Sequence, residues 1–360
     1  MRFRFSLNLY FCAMDMKSLR ETYEHLRSQN PHLYLREAAA LLGVSEMALL
    51  SLELGKSVFR LRPDWRPLLE NLSQQGDLMG LSRNTWAVIE NTGPYPRPTF
   101  EGPVAVFHDA PPALDLRCYL NHWAHAFAVH TQKAGRSLYS IQIFTPWGES
   151  IHKVYFSGPE APEKWQTFKE SFLHPEQSFE PDLIAPEPPL PVQEGPNDRE
   201  SFLQDWAGLA DTHDFFALLR RHQVSRLAAL RAAEGHFTWS LSRAQWEYFL
   251  HWVQSTQTPI MFFVGNAGIH QIYTGPVSSV TYERGWHNFH GSKLTLHFNP
   301  EGLGHLYLVK KPTREGDIYS LEIFSPRGEE VLWVFGARKP GQNVPAGWLE
   351  FVESLQRAAV

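Results

Sequence analysis

Two kinds of apolar spacing alternate along the chain. Helical spacing predicts helices over Ser18–Arg27, Leu35–Leu42 and Glu46–Leu54, and again over Arg199–Leu209, Asp214–His222 and Arg226–Glu234. Behind each helical region come short alternating or β-branched runs. In the first part of the chain these are Trp86–Asn91, Val104–His108, Leu114–Leu120, Ala124–His130, Ser140–Phe144 and Ser150–Phe156. Later they recur at Ile260–Val264, His270–Thr274, Val277–Glu283, Leu294–Asn299, His305–Lys310, Ser320–Ser325 and Glu330–Val334. Pro146-Trp147-Gly148 and Pro326-Arg327-Gly328 supply hairpin turns. Helices segregated from meandering strands imply an α+β fold with mostly antiparallel sheets.

The pattern is written twice. Tyr139–Glu149 reads YSIQIFTPWGE and Tyr319–Glu329, 180 residues further on, reads YSLEIFSPRGE. At the same offset His125 meets His305 and Val44-Ser45 meets Val224-Ser225, and near that offset Asn91-Thr92-Gly93-Pro94 resembles Tyr273-Thr274-Gly275-Pro276. So long a period means two homologous halves rather than a solenoid. Pro181, Pro186, Pro188, Pro189, Pro191 and Pro196 lie between them. Proline fixes φ and lacks an amide proton, so this stretch reads as an extended linker. The expected organisation is a tandem duplication of two similar halves, each a large mostly antiparallel β-sheet with flanking helices. They are an N-terminal half over 18–180, a linker over 181–198 and a C-terminal half over 199–360.

Composition narrows the chemistry. At 360 residues and 43% hydrophobic, the chain can offset the entropy of folding, and two cysteines make no disulfide scaffold. Cys12 and Cys118 fit a reducing cytoplasm. No apolar run is long enough for a membrane-spanning helix, so no membrane insertion is expected. The opening residues imitate a secretory signal, but Ser6 and Asn8 interrupt the apolar stretch, so residues 1–17 read as a disordered leader or an upstream start. A net charge of −5 argues against a nucleic-acid binder. Arg36–Leu50 imitates a helix-turn-helix, but its second helix is acidic and apolar, which suits packing better than base reading.

No phosphate-cradling glycine loop, dinucleotide fingerprint, zinc knuckle or nucleophile elbow occurs in the sequence. What remains pointed is Ala210–His222. Asp211 or Thr212 can cap a helix there, placing His213 in its first turn with Phe216 and Ala217 on the same face. The helix dipole disfavours an imidazolium at that end, and neutral imidazole is the metal-binding form. A lone histidine in such a place is ordinarily a capping or surface residue.

Thr212–His222 with Val224-Ser225-Arg226 resembles the haem-ligand helix of the HemS/ChuS/PhuS family of bacterial cytoplasmic haem-handling proteins. So do Leu114–Trp123, Ile260–Asn266, Gln271–Gly275, Lys310–Thr313, Ser320–Phe324 and Phe335–Arg338, collinear from about residue 18 to the C-terminus. The resemblance implies that His213 is the axial ligand of haem b iron. It places Arg117 on the distal side as a possible catalytic group and Tyr119 near the macrocycle. Arg226, Lys311 and Arg338 would hold propionates or rim the pocket. Haem needs a donor nitrogen, an apolar slot and cations at one edge. Phe215, Phe216, Phe262, Phe263 and Tyr273 are candidates for the slot, although Phe262 and Phe263, adjacent on a strand, face opposite ways. Three positions depart from the family: Ile89 where some relatives carry a second histidine ligand, Leu227 for a glutamine and Phe335 for a tyrosine. One principal site per chain is therefore expected. The family implies haem transfer in iron acquisition, with a haem ABC transporter as source and a haem oxygenase as acceptor. Ring-opening degradation at the open distal face is the alternative.

Overall fold

The computed structural model describes residues 16–109, 113–133, 135–178, 193–338 and 344–358. Most of the expected leader and most of the proline-rich linker, over 181–192, lie outside the described residues. The chain opens on α1 (Met16–Gln29), α2 (Leu35–Leu42) and α3 (Glu46–Ser51), followed by β1 (Val58–Leu61) and α4 (Trp65–Leu72). Eight strands come next: β2 (Asp77–Arg83), β3 (Ala87–Pro94), β4 (Thr99–Glu101), β5 (Val104–Phe107), β6 (Asp115–Tyr119), β7 (His125–Lys133), β8 (Arg136–Phe144) and β9 (Ser150–Phe156). Helix α5 (Ala161–Phe172) closes the first repeat.

The second repeat has the same order. It begins with α6 (Arg199–Ala207), α7 (Asp214–Arg221), α8 (Arg226–Ala232), β10 (Thr238–Leu241) and α9 (Arg243–Thr256). Then come β11 (Ile260–Asn266), β12 (Ile269–Gly275), β13 (Ser279–Glu283), β14 (Trp286–His290), β15 (Leu294–Phe298), β16 (His305–Lys311), β17 (Ile318–Phe324) and β18 (Glu330–Gly336), closed by α10 (Ala346–Ala358). Identical element order in both repeats matches the duplication read from the sequence. Four helices, α4, α5, α9 and α10, lie outside the helical regions expected from spacing. Helix α3 stops at Ser51 rather than Leu54, where the chain turns through Gly55 at φ 75° toward β1.

The strands form two nine-stranded antiparallel sheets, in the orders β1-β7-β8-β9-β2-β3-β15-β14-β13 and β10-β16-β17-β18-β11-β12-β6-β5-β4. Two compact units result, one of residues 1–78 with 119–187 and one of 79–118 with 188–360. Within the second unit the second sheet is covered on both faces. Alternate residues of each strand point to opposite faces. On one face Phe262, Leu308, Leu321 and Val334 join Trp246 and Phe249 of α9 and Trp348 and Phe351 of α10. Burial of such side chains contributes roughly 1.5–3 kcal/mol each. On the other face Tyr307, Val309 and Phe324 pack under Phe202, Trp206, Phe215 and Leu218 of α6 and α7.

In the first unit, every residue of α3 is buried, and Glu46 meets the ammonium of Lys153. The helix-turn-helix look-alike is thus a packed element, as its greasy composition suggested.

Candidate functional site

The start of α7 is set by two aspartates. Asp211 Oδ1 accepts the His213 amide at 2.8 Å, and Asp214 Oδ2 accepts the Asp211 amide at 3.0 Å. His213 stands at the N-cap, one position before the helix, rather than in its first turn. Its ring is 88% exposed, and Nδ1 lies 2.6 Å from Asp211 Oδ1. The helix behind it is clamped to α6, because Asp205 Oδ2 takes Arg221 Nη1 at 3.0 Å and His222 Nε2 at 2.8 Å. Hydrogen bonds from His222 and then Arg221 hold the Asp205 carboxyl below the ordinary carboxylate range. Trp206 packs edge-on against Phe215, and its Nε1 donates to the Lys310 carbonyl at 3.0 Å, fixing α6 on β16.

Two residues after His213, Phe215 is buried over a cluster of charge. Lys311 Nζ lies 4.8 Å and the Arg226 guanidinium 5.1 Å from its ring centre. Arg226 also lies 4.0 Å over the Trp333 ring. Both cations share one anion: Glu322 accepts Arg226 Nε at 2.7 Å, Arg226 Nη2 at 2.9 Å and Lys311 Nζ at 2.7 Å. Side-chain exposures of 5%, 3% and 0% for Arg226, Lys311 and Glu322 leave bulk water little part in this balance. Burial pushes the Lys311 ammonium down to about 8 against the pull of Glu322. Burial works against the Glu322 anion, yet Arg226 and Lys311 together hold its carboxyl far below its usual range. Two cations share this one carboxylate, the Glu330 carboxyl is a further acidic group facing both of them, and Arg226 Nη1 is buried without a hydrogen-bond partner.

The same sheet face continues away from the helices. Trp333 pairs with Phe263 in the β18–β11 ladder, and His270 pairs with Gly265 across β11–β12. The His270 ring stacks on Trp333 at 5.0 Å and crosses Gly265 so closely that a Cβ there would lie 2.4 Å from it. Only glycine admits the ring in this position. Burial, then the neighbouring Arg226 and Arg117 charges, bring His270 down to about 4, so the ring is neutral near pH 7. His270, Phe263, Asn266 and Trp333 line a cavity of about 200 Å³. That is below the roughly 300–1,000 Å³ of pockets for larger organic ligands, so it admits a small group and not a macrocycle. Across the next ladder His270 stands opposite Arg117, placing both on this face.

The expected site residues therefore separate into groups. Arg226 and Lys311 come together beneath Phe215, whereas His213, two residues before it, projects into solvent. Arg117 is joined to them through His270 and Trp333, and its guanidinium meets Asp115, whose other oxygen takes His108 Nδ1 at 3.0 Å. Arg338 pairs with Glu315 at a partly exposed position, and Tyr119 ends β6 half-buried. Among the slot candidates, Phe262 and Tyr273 belong to the core on the opposite face, and the Tyr273 hydroxyl donates to the Pro276 carbonyl at 2.7 Å. Phe216 is 48% exposed and Phe263 faces the cavity. Ile89 is sealed in the core, Leu227 of α8 packs into the cluster with α6 and α7, and the Phe335 ring lies 5.6 Å from Lys311 Nζ. Sequence reading missed His270 and Glu322 as site residues. The hairpin signal holding Gly265 and His270 marks the first, and the buried partner that Arg226 and Lys311 require would have marked the second.

The donor set fits haem. An exposed imidazole has one nitrogen tied to a carboxylate and the other free, and two cations, one with an unpartnered guanidinium nitrogen, lie beneath Phe215 two residues on.

A family model described as the haemin-degrading HemS.ChuX domain matches residues 43–172 and 223–355, once in each repeat. The hemin transport protein HmuS of Yersinia pestis is 33% identical over 341 residues, covering 94% of this chain and 97% of its own. HemS of Yersinia enterocolitica, also described as a hemin transport protein, is 33% identical with the same coverages. Among solved structures, holo-PhuS, a heme-binding protein from Pseudomonas aeruginosa, superposes with a TM-score of 0.90 at 35% identity, covering 95% of this chain and 99% of its own. ChuS, described as an E. coli heme oxygenase, superposes at 0.81 with 29% identity, covering 92% and 98%. Duplicated matches, full-length relatives and a shared two-sheet architecture agree: the chain belongs to the HemS family of haemin-handling proteins.

Proposed function

We propose that this chain is a cytoplasmic haem-binding and transfer protein of iron acquisition, with haem b as its cargo. His213 is the single axial ligand, and the buried Arg226–Lys311–Glu322 cluster supplies a positive field for the propionates, with Arg338 at the exposed rim. The observation that carries this reading is the exposed His213 ring, anchored through Nδ1 at the start of the helix whose Phe215 covers that cationic cluster. Bound haem supplies an iron with open axial positions, and one histidine leaves a face free for handover to an acceptor. A haem ABC transporter upstream and a haem oxygenase downstream are the partners such a carrier requires. Relatives described as hemin transport proteins support the transfer reading. The description of ChuS as a heme oxygenase favours a second reading, ring opening, in which Arg117 would steady the distal ligand.

Anaerobic hemin titration of the wild type and His213→Ala, followed by product analysis with an enzymatic reductase, tests both. Transfer is expected to give a His213-dependent Soret band and intact haem delivered to an oxygenase. Catalase-insensitive ring cleavage by the chain alone would favour the second reading, and a His213→Ala titration indistinguishable from wild type would overturn the ligand assignment.

A further inference from the structure

We propose that Asp211 is a positioning residue that locks His213 in the Nδ1–H tautomer, so that the exposed Nε2 presents its lone pair outward. The haem consequence rests on the reading above; the tautomer does not. A histidine ring free in water populates both neutral tautomers, and the hydrogen bond made by one nitrogen decides which proton stays. Here Nδ1 lies 2.6 Å from Asp211 Oδ1, and an ionised carboxylate only accepts, so the proton belongs on Nδ1.

The carboxylate is itself fixed. Its Oδ1 also accepts the His213 amide at 2.8 Å, Thr212 Oγ1 lies 3.4 Å from the same oxygen, and the Asp211 amide is bound by Asp214 Oδ2. One residue upstream, the Ala210 carbonyl takes the Arg314 amide at 3.1 Å, tying the loop down before the aspartate. Helix capping alone would explain the amide contact, since an aspartate there satisfies an orphan donor. It does not explain a ring nitrogen held by the same oxygen. An anion on the far nitrogen raises ligand basicity and favours the more oxidised metal, the arrangement common behind metal-bound histidines.

Long-range 1H–15N spectra of the ligand-free chain, at a pH where the ring is neutral, report the tautomer directly. His213 is expected as Nδ1–H in the wild type and shifted toward Nε2–H in Asp211→Ala. Asp211→Asn keeps the cap but removes the charge, and circular dichroism checks that α7 persists. In the hemin complex, Asp211→Asn is expected to raise the ferric/ferrous midpoint potential and lower the iron–histidine stretching frequency. A wild-type ring in the Nε2–H form, or one unchanged in Asp211→Ala, overturns the proposal. If the tautomer responds but the wild-type complex shows no iron–histidine stretch, the haem reading fails while the positioning role stands. If a His213-ligated complex forms and neither readout moves in Asp211→Asn, the electronic role fails alone.

Discussion

The two repeats carry the same ladders and opposite charge logic. At the 180-residue offset, Gln142 opposite Lys153 in β8–β9 corresponds to Glu322 opposite Trp333 in β17–β18. Glu46 takes the place of Arg226, and exposed Thr131 the place of buried Lys311. The first repeat instead pairs the buried Glu46 carboxylate with the Lys153 ammonium, and Arg36 also faces Glu46. The second gathers two buried cations on one carboxylate, with the Glu330 carboxyl facing them as well. Where His213 projects into solvent, the first repeat has Leu33, packed into its helical cluster. Duplication supplied a scaffold twice; a few substitutions at equivalent positions gave one copy two buried cations under the helix that a histidine caps.

The largest expected effect breaks the second cluster. Glu322→Gln strands Arg226 and Lys311 without a counter-charge, and loss of one partner from such a buried group costs about 3–5 kcal/mol, measurable by urea unfolding. Gly265→Ala drives a methyl group into the His270 ring, an overpacking expected to cost about 1–3 kcal/mol. Adding His270→Ala should restore part of that loss if the clash is its cause.

A pH effect should appear in both repeats. His125, half-buried and near Arg60 in the first unit, is lowered from 6.5 to about 4, as His270 is in the second. Between these limits the unfolded chain binds protons that the native rings refuse, so stability falls as pH drops from about 6.5 toward 4. His270→Gln should flatten the slope of unfolding free energy against pH in this window. Below it, Glu322 takes over: its depressed carboxyl adds stability that is present above about 4.5 and lost with further acidification. The smallest effect is expected at Gln142, whose Oε1 is buried without a hydrogen-bond partner. Gln142→Leu removes that cost and should leave stability within about 1 kcal/mol of wild type by the same urea measurement, in contrast to its counterpart Glu322.

Much of this was legible in the residues. The collinear repeats announced the duplication, and the helices at the head of each repeat follow their apolar spacing. The capping chemistry of Asp211 pointed to the start of α7, missing His213 by one position because the aspartate captures the histidine's own amide. Long-range pairing was not legible. No local pattern tells that β6 of the first repeat pairs with β12 of the second, which is what sets Arg117 opposite His270. Nor does the local sequence reveal that Arg226 of α8 and Lys311 of β16 lie beneath aromatic rings rather than at an open rim. Alternation assigns a side chain to a face, but only the neighbouring helices decide whether that face meets water.

The central claim is that the haem-binding imidazole, set over a helix that covers two buried cations, belongs to the second repeat. Hemin titration of His213→Ala beside Leu33→Ala, followed by the Soret band, tests it most directly. The expected result is loss of the wild-type band in His213→Ala, with fold stability changed by no more than about 0.5 kcal/mol, and its retention in Leu33→Ala. A full wild-type band in His213→Ala, or its loss in Leu33→Ala with the fold intact, would contradict the claim.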